Sequence, residues 1–236
     1  MTIQKITEHV YAVPLGFVNT FLIDQDELTL IDAGIAGSEK AILSAIQDLG
    51  RQAGDLKQIL VTHLHGDHIG SLAALQHVSG AKIWMHQADA ELARQGLSGR
   101  PSQPGPGVLN RIIYTLFVGR QVSTGRVEPA RIDGEFGDGQ IIPAGGGIRA
   151  IHTPGHTAGH TAFLWEGSGG VLFAGDMIGH ITRLGYGMLY EDLAEGQRSI
   201  RMIAGLQFNI LCFGHGATIT SNAADVLRAS RLVKGL

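Results

Sequence analysis

The stretch Thr62-His63-Leu64-His65-Gly66-Asp67-His68 decides the reading of this chain. It follows directly on the apolar run Gln58-Ile59-Leu60-Val61. Neutral imidazole nitrogen and carboxylate oxygen are the donors that a borderline cation such as Zn²⁺ accepts. Alternate residues of an extended chain point to the same side, so a strand ending at Thr62 aims His63 and His65 together. Gly66 permits a sharp turn that swings Asp67 and His68 onto a neighbouring position. A solvated loop that is merely rich in histidine is the bland alternative. It is disfavoured because groups packed this densely repel one another or stay half-protonated unless a cation organises them.

Further ligand-type side chains occur in the same kind of place. Ile148–His152 reads as a strand and runs into Thr153-Pro154-Gly155-His156-Thr157-Ala158-Gly159-His160, a loop punctuated by Pro and Gly. Residues 171–174 form a short apolar run before Gly175-Asp176, and 208–213 another before Gly214-His215-Gly216. Separate strands thus each end in a small residue or turn followed by a histidine or aspartate. Loops at strand ends on a rigid sheet are where α/β and related enzymes assemble their sites.

The ordered set His63-x-His65-x-Asp67-His68, His156, Asp176 and His215 resembles the metallo-β-lactamase superfamily of dinuclear metallohydrolases. Asp32, in Leu30-Ile31-Asp32-Ala33-Gly34, matches that family's first motif, an acidic residue after an early strand. The resemblance spans nearly the whole chain up to His215. It implies an α+β fold, a four-layer αβ/βα sandwich of two mixed sheets with helices on the outer faces. It also implies a first metal on His63, His65 and His156, and a second on Asp67, His68 and His215, with Asp176 bridging them. Two Zn²⁺ ions are the implied cofactors, with Fe or Mn in one or both positions as alternatives. Asp32 would hold the His-rich loop by hydrogen bonds. An ordinary turn aspartate before Gly34 is the competing reading. His160 would sit behind the ligands rather than among them.

Composition agrees with this picture. Glycine makes up 34 of 236 residues, which suits many tight strand-to-loop corners. A net charge of −3 leaves no basic footprint, so no nucleic-acid partner is expected. The single cysteine, Cys212, excludes an internal disulfide, in keeping with a reducing compartment, and its apolar strand makes it an inert buried thiol. Residues 1–9 carry charges and lack the apolar core of a signal peptide. No apolar stretch approaches the roughly 20 residues that a membrane-spanning helix needs. The expectation is a cytoplasmic protein acting on a small-molecule substrate, with no membrane partner.

The remaining pattern supplies the elements. Residues 9–14 and 17–24 read as paired strands turning at Gly16, and 28–32 as a third strand. Ser38 caps a helix whose Ala41, Ile42, Ala45, Ile46 and Leu49 share a face, stopped by Gly50. A strand at 58–62, a helix at 69–78 ended by Gly80 and a strand at Lys82–His86 follow. Strands and amphipathic helices alternate in both halves, so a sheet sandwich with outer helices is the natural packing. Residues 1–236 read as one domain carrying a helical insertion at 87–125, a lid or pocket wall. Within it, Pro101, Pro104, Gly105, Pro106 and Gly107 interrupt any helix or central strand. Beyond them, 108–118 is apolar around most of its circumference if helical, which fits a core helix, a lid or a homodimer contact. One helix is expected over 221–234.

Two metals held close together lower the pKa of a shared water, so a metal-bound hydroxide can attack a polarised carbonyl. Asp67 would orient that nucleophile and take its proton. In the family, β-lactamases usually carry Cys or Ser where this chain has Asp176, which moves the expectation toward thioester and lactone hydrolases. Glyoxalase II adds a helical domain that grips glutathione, and only the length of one helix follows His215 here. Lactonases of the family often place tyrosine three residues after the bridging aspartate, where this chain has Gly179, its next tyrosine being Tyr186. The expectation is therefore a zinc hydrolase of a small ester-like substrate, lactone or thioester. The alternatives are a weak or promiscuous β-lactamase, a mononuclear iron persulfide dioxygenase and a non-catalytic binding module. His180 and Tyr186 are candidate substrate contacts, and His9, His77, His86 and His152 read as ordinary surface or packed residues.

Overall fold

The computed structural model describes residues 3–119, 122 and 124–236, with the side chains of Leu109 and Phe117 excepted. Strands β1 (Gln4–Lys5), β2 (Val10–Pro14), β3 (Asn19–Asp24) and β4 (Leu28–Ile31) run as an antiparallel meander. After helix α1 (Glu39–Asp48), strand β5 (Leu56–Leu60) joins β4 in parallel. Helices α2 (Gly66–Ile69) and α3 (Leu72–Ser79) lead to parallel β6 (Lys82–His86), and α4 (Gln87–Arg94) follows. Next come the short β7 (Gln103–Pro104), helix α5 (Val108–Ile113) and β8 (Gly134–Phe136), which completes a seven-stranded sheet in the order β1-β2-β3-β4-β5-β6-β8.

The second sheet is built from β9 (Ile141–Ile142), β10 (Ile148–His152), β11 (Thr161–Trp165) and β12 (Val171–Phe173). A hairpin of β13 (Ile178–His180) and β14 (Leu184–Tyr186) follows, then β15 (Leu189–Tyr190) and helix α6 (Leu193–Ala204). Strand β16 (Ile210–Cys212) pairs parallel with β12 and gives the order β16-β12-β11-β10-β9. Helices α7 (Ala223–Ala229) and α8 (Arg231–Lys234) end the chain.

Three apolar interfaces separate four layers, as the sandwich requires. Successive strand residues face opposite sides, so one strand feeds two cores. Phe21 and Ile23 of β3 point between the sheets while Leu22 points outward; on β11, Phe163 and Trp165 point inward and Leu164 outward. Ring pairs Phe21–Phe173 and Phe136–Phe163, with centroids 5.3 and 5.6 Å apart, join the two sheets. Outside the first sheet lie Ile42 and Ile46 of α1, Leu72 and Leu75 of α3 and Ala90 and Ala93 of α4. Outside the second lie Ile200 and Ile203 of α6 and Leu227 of α7.

The structure departs from the sequence reading where a distant group intervenes. Strand β5 stops at Leu60 rather than Thr62, and the Thr62 N–H donates to the Asp32 carboxylate at 2.8 Å. The helix expected at 69–78 is instead α2 and α3, because the Gly70 N–H donates to Gly34 O and a Cβ at Gly70 would lie 2.3 Å from Ala36 N. Ser38 sits at the start of α1, but its hydroxyl makes no cap; its N–H donates to Ser71 Oγ at 2.9 Å. The helix expected over 221–234 is broken at Ser230, whose extended backbone lets its hydroxyl cap α8.

Helix α4 is part of the outer layer, so the stretch that leaves the layers begins at Gly96. It is pinned by β7, which pairs with β15, and by Tyr114 Oη donating to Ser102 O. Along α5 and the wider turn Tyr114–Val118, the side chains of Val108, Ile112 and Leu116 are 78, 49 and 66% exposed. That face belongs to none of the three cores. Residues 120, 121 and 123 of the expected insertion lie outside the described residues.

Candidate metal centre

The C-terminal ends of β4, β5, β10, β12 and β16 meet at one edge of the sandwich. They bring together two groups of donors, His63 with His65 and His156, and Asp67 with His68, Asp176 and His215. Within each group the donor atoms all lie within 4.8 Å of one another. Asp176 touches both: it stands 3.3 Å from His68 Nε2 and 3.0 Å from His215 Nε2, and 3.7 Å from His156 Nε2. Asp67 lies 3.3 Å from His215 Nε2. Gly214 makes this approach feasible, since a Cβ there would fall 2.2 Å from Asp176 Oδ1.

Hydrogen bonds at the rear of the rings fix which nitrogen faces the centre. His68 Nδ1–H donates to Asp32 Oδ2 at 2.8 Å, His156 Nδ1–H to Leu189 O at 2.8 Å and His215 Nδ1–H to Phe17 O at 2.7 Å. The Thr62 hydroxyl donates to Asp32 Oδ2 and accepts from His63 Nδ1–H at 3.0 Å. Each of these four rings therefore turns Nε2 inward, the orientation that metal-ligating histidines take from such partners. His65 presents Nδ1 instead, 2.9 Å from His156 Nε2. Asp32 itself adopts φ 61°, a left-handed conformation uncommon outside glycine, at the point where its carboxylate binds both Thr62 and His68.

His63 Nε2, His65 Nε2, His68 Nε2 and Asp176 Oδ1 are buried and make no hydrogen bond. Native proteins rarely leave buried polar atoms unpaired, so His63 Nε2, His68 Nε2 and Asp176 Oδ1, on the inward side of the centre, fit a cation. Charge divides the two groups. Burial, with neighbouring imidazoles, holds His63 well below the usual imidazole range and pushes His65 down to about 3, and burial lowers His156 too. These rings are neutral bases. Burial also opposes a charged His68 and His215, yet the surrounding carboxylates prevail, raising His68 well above its ordinary value and His215 to about 10. Burial would raise Asp67, but His68 and His215 bring it down to about 2, and the same pair holds Asp176 well below the carboxylate range. Protons on His68 and His215 here offset Asp67 and Asp176, a task that a divalent cation performs when bound.

A family model, the metallo-beta-lactamase superfamily, matches residues 13–215. The chain belongs to the metallo-β-lactamase superfamily. A Bacillus subtilis relative, the uncharacterized protein YobT, is 33% identical over 247 residues, covering 98% of this chain and 97% of its own. A hydroxyacylglutathione hydrolase of Cereibacter sphaeroides is 29% identical over 192 residues, and the alignment spans 80% of this chain but 57% of that one. Among solved structures, Rm3 metallo-β-lactamase matches with TM-score 0.75 over all of this chain and 93% of its own, at 21% identity, a likeness of fold. A mutant metallo-β-lactamase from Cronobacter sakazakii matches at 25% identity and TM-score 0.71, covering 91% and 80% of the two chains. Members of the superfamily are metal-dependent hydrolases.

In this metallo-β-lactamase fold His160 lies behind the donors: its Nε2 accepts from the Asp176 N–H at 3.2 Å and its Nδ1–H donates to Thr153 Oγ1 at 2.8 Å. His180 stands beside His215 through its backbone, and its ring donates to Ala217 O. Tyr186 is not brought to the donors. Its ring packs in the outer core against the second sheet and its hydroxyl accepts from Gln197 Nε2 at 3.2 Å. His86 and His152, read as ordinary, stack at 4.0 Å. Sequence reasoning missed Asn19, whose amide holds Phe213 O and Gly216 O on either side of His215, and Asp89, Arg100 and Glu191 beside the other loops. Their partners lie too far along the chain for any local signal to expose them.

No helix among the described residues is long and apolar enough to cross a membrane.

Proposed function

We propose that this superfamily member is a dinuclear zinc hydrolase that opens a small ester-like substrate, a lactone or a thioester. The observation that carries the reading is the convergence of both donor groups on Asp176, which lies within 3.7 Å of His156, His68 and His215. His63, His65 and His156 would hold one ion, Asp67, His68 and His215 the other, and Asp176 both. An imidazole and carboxylate donor set suits zinc, with iron or manganese as alternatives. When bound, such ions supply Lewis acidity that brings water toward a neutral pKa and offsets charge developing on a carbonyl oxygen.

The chain's own residues divide the remaining work. The Asp67 side chain is 27% exposed, against 10% for Asp176 and 4% for Asp32, so it is the carboxylate that reaches the mouth. There it accepts a hydrogen bond from the attacking water and receives its proton on a carboxylate oxygen. Phe17, 63% exposed, stacks parallel to the His215 ring at 5.9 Å. Ile181 is 74% exposed and follows His180, whose N–H donates to His215 O. Each offers an exposed apolar side chain near His215, suited to an acyl or lactone hydrocarbon. The relatives named hydroxyacylglutathione hydrolase add weight to the acyl-thiol arm.

The test is acid release in a pH-stat from a panel of lactones, acyl thioesters and a β-lactam, using zinc-loaded protein beside a metal-stripped control. Metal-dependent turnover of a lactone or thioester is expected, with any β-lactam turnover weaker. A fully loaded protein that hydrolyses none of the panel would remove the carboxylic-ester reading.

A further inference from the structure

We infer that Asp89, Arg100 and Glu191 form a positioning clamp for the His63/His65/His156 group alone; this deepens the ligand reading above and rests on it. Asp89 lies in the first turn of α4 and is fully buried. Its Oδ2 accepts from Thr157 Oγ1 at 2.7 Å and from the N–H of Leu64 at 3.3 Å. Its Oδ1 accepts from the Gly159 N–H at 3.0 Å and from Arg100 Nη1 at 2.7 Å. Leu64 separates His63 from His65, and Thr157 follows His156. One carboxylate therefore ties together the two loops whose rings meet at 2.9 Å, His65 Nδ1 to His156 Nε2.

Arg100 and Glu191 complete the arrangement. Arg100 also donates to Glu191 Oε1 at 3.2 Å and to Ala88 O, and Glu191 Oε2 accepts from the Ala158 N–H at 2.8 Å. The Glu191 N–H donates to His156 O at 3.2 Å. A buried carboxylate is tolerated only when it is paired and fully hydrogen-bonded, and this set meets that condition. A helix-start aspartate serving only its own helix would take donors from that helix. None of the four donors to Asp89 belongs to α4. The other group is held by different partners: Asp32 holds His68, Phe17 O holds His215 and His160 holds the Asp176 backbone. Asp32 also reaches His63 through the Thr62 hydroxyl, but the hydrogen bonds of Asp89 and Glu191 run to Leu64 and to the loop 156–159 and not to Asp67, His68, Asp176 or His215, so loosening the clamp should disturb one donor group and spare the other.

The test uses Thr157→Val, which is isosteric and removes only the hydroxyl donor to Asp89. It is made in two backgrounds: His215→Ala, which leaves the three-histidine group intact, and His63→Ala, which leaves the aspartate-rich group. Co²⁺ affinity of each metal-stripped protein is measured by competition with a chelator. Partners of this kind typically change affinity by tenfold to a hundredfold. The expected result is a loss of about tenfold or more on adding Thr157→Val to His215→Ala, no loss on adding it to His63→Ala, and recovery with Thr157→Ser. Arg100→Met, at a side chain open to solvent on one side, is a second variant that should show the same contrast. Equal losses in both backgrounds, or none in either, would overturn the clamp. A wild-type chain that takes up no Co²⁺ would overturn the ligand reading beneath it, and with it the clamp.

Discussion

Asp32→Asn is the perturbation that reads the architecture of the centre most directly. Asparagine tolerates the left-handed backbone at this position, φ 61°, so the chain path is preserved, which alanine would not guarantee. The carboxylate accepts three hydrogen bonds at 2.8 Å: the Thr62 N–H on Oδ1, and the Thr62 hydroxyl and His68 Nδ1–H on Oδ2. The amide can keep the first. Its NH₂ then faces two donors, and His68, fully buried, loses the acceptor for its Nδ1–H. Losing a charge-assisted bond and stranding a buried donor costs about 2–4 kcal/mol. His68 can escape by giving up the Nδ1 proton and keeping one on Nε2, but that leaves Nε2 without a lone pair for a metal. Metal affinity at the Asp67/His68/His215 group should then fall about tenfold to a hundredfold, the usual effect of losing such a partner. Urea denaturation of metal-stripped wild type and variant measures the first quantity, and chelator competition of the folded proteins measures the second. A variant with an unchanged urea midpoint and unchanged affinity would refute the view that Asp32 orients His68.

Three further outcomes are expected. Asp67→Asn should lower turnover by about a hundredfold or more, the range for a lost proton acceptor, with little change in folding; near wild-type turnover in a fully metallated variant would rule out its role. Stripping metal from the loaded protein should lower the thermal midpoint by roughly 10–20 °C, since each of the two ions at a hundredfold excess over its Kd contributes about 2.7 kcal/mol. An unshifted calorimetric midpoint would count against bound metal. The pH dependence should carry a signature from His86, which burial and the His152 ring hold down to about 4, below the ordinary imidazole value of 6.5. The unfolded chain takes up this proton first, so the contribution is complete above pH 6.5 and is lost as pH falls toward 4. His86→Asn removes the titration while keeping a cap acceptor for the Ala88 N–H, which His86 now binds at 3.2 Å. Its stability, from urea melts, should decline less steeply than wild type across that window, and parallel declines would assign the dependence elsewhere.

Short-range chemistry was legible in the chain before any fold was known. The density of imidazole and carboxylate at 62–68, the strand pattern of Ile148–His152 and the apolar face of α1 each depend on residues within one or two turns of each other. The ordered motif residues carried the resemblance to the superfamily, and through it the four-layer sandwich. Element ends were less legible, because they depend on distant partners. Thr62 leaves its strand to meet Asp32, and Gly70 divides a helix where the backbone of 35–36 presses against it. The position of Tyr186 was equally hidden: a strand residue faces one side or the other according to register, and register here turns it toward Gln197.

The sequence by itself determined which donor chemistry the chain carries and in what order along it. The tertiary structure alone decided how that chemistry is arranged: that Asp176 faces both groups, that His65 offers Nδ1 where its neighbours offer Nε2, and that Asp89 ties Leu64 to Thr157. A side chain's element and charge are covalent properties, written into the chain. Its partners are chosen when strand ends far apart in sequence meet at one edge of two packed sheets. Only there do burial and mutual proximity set which nitrogen keeps a proton and which is left to bind a cation.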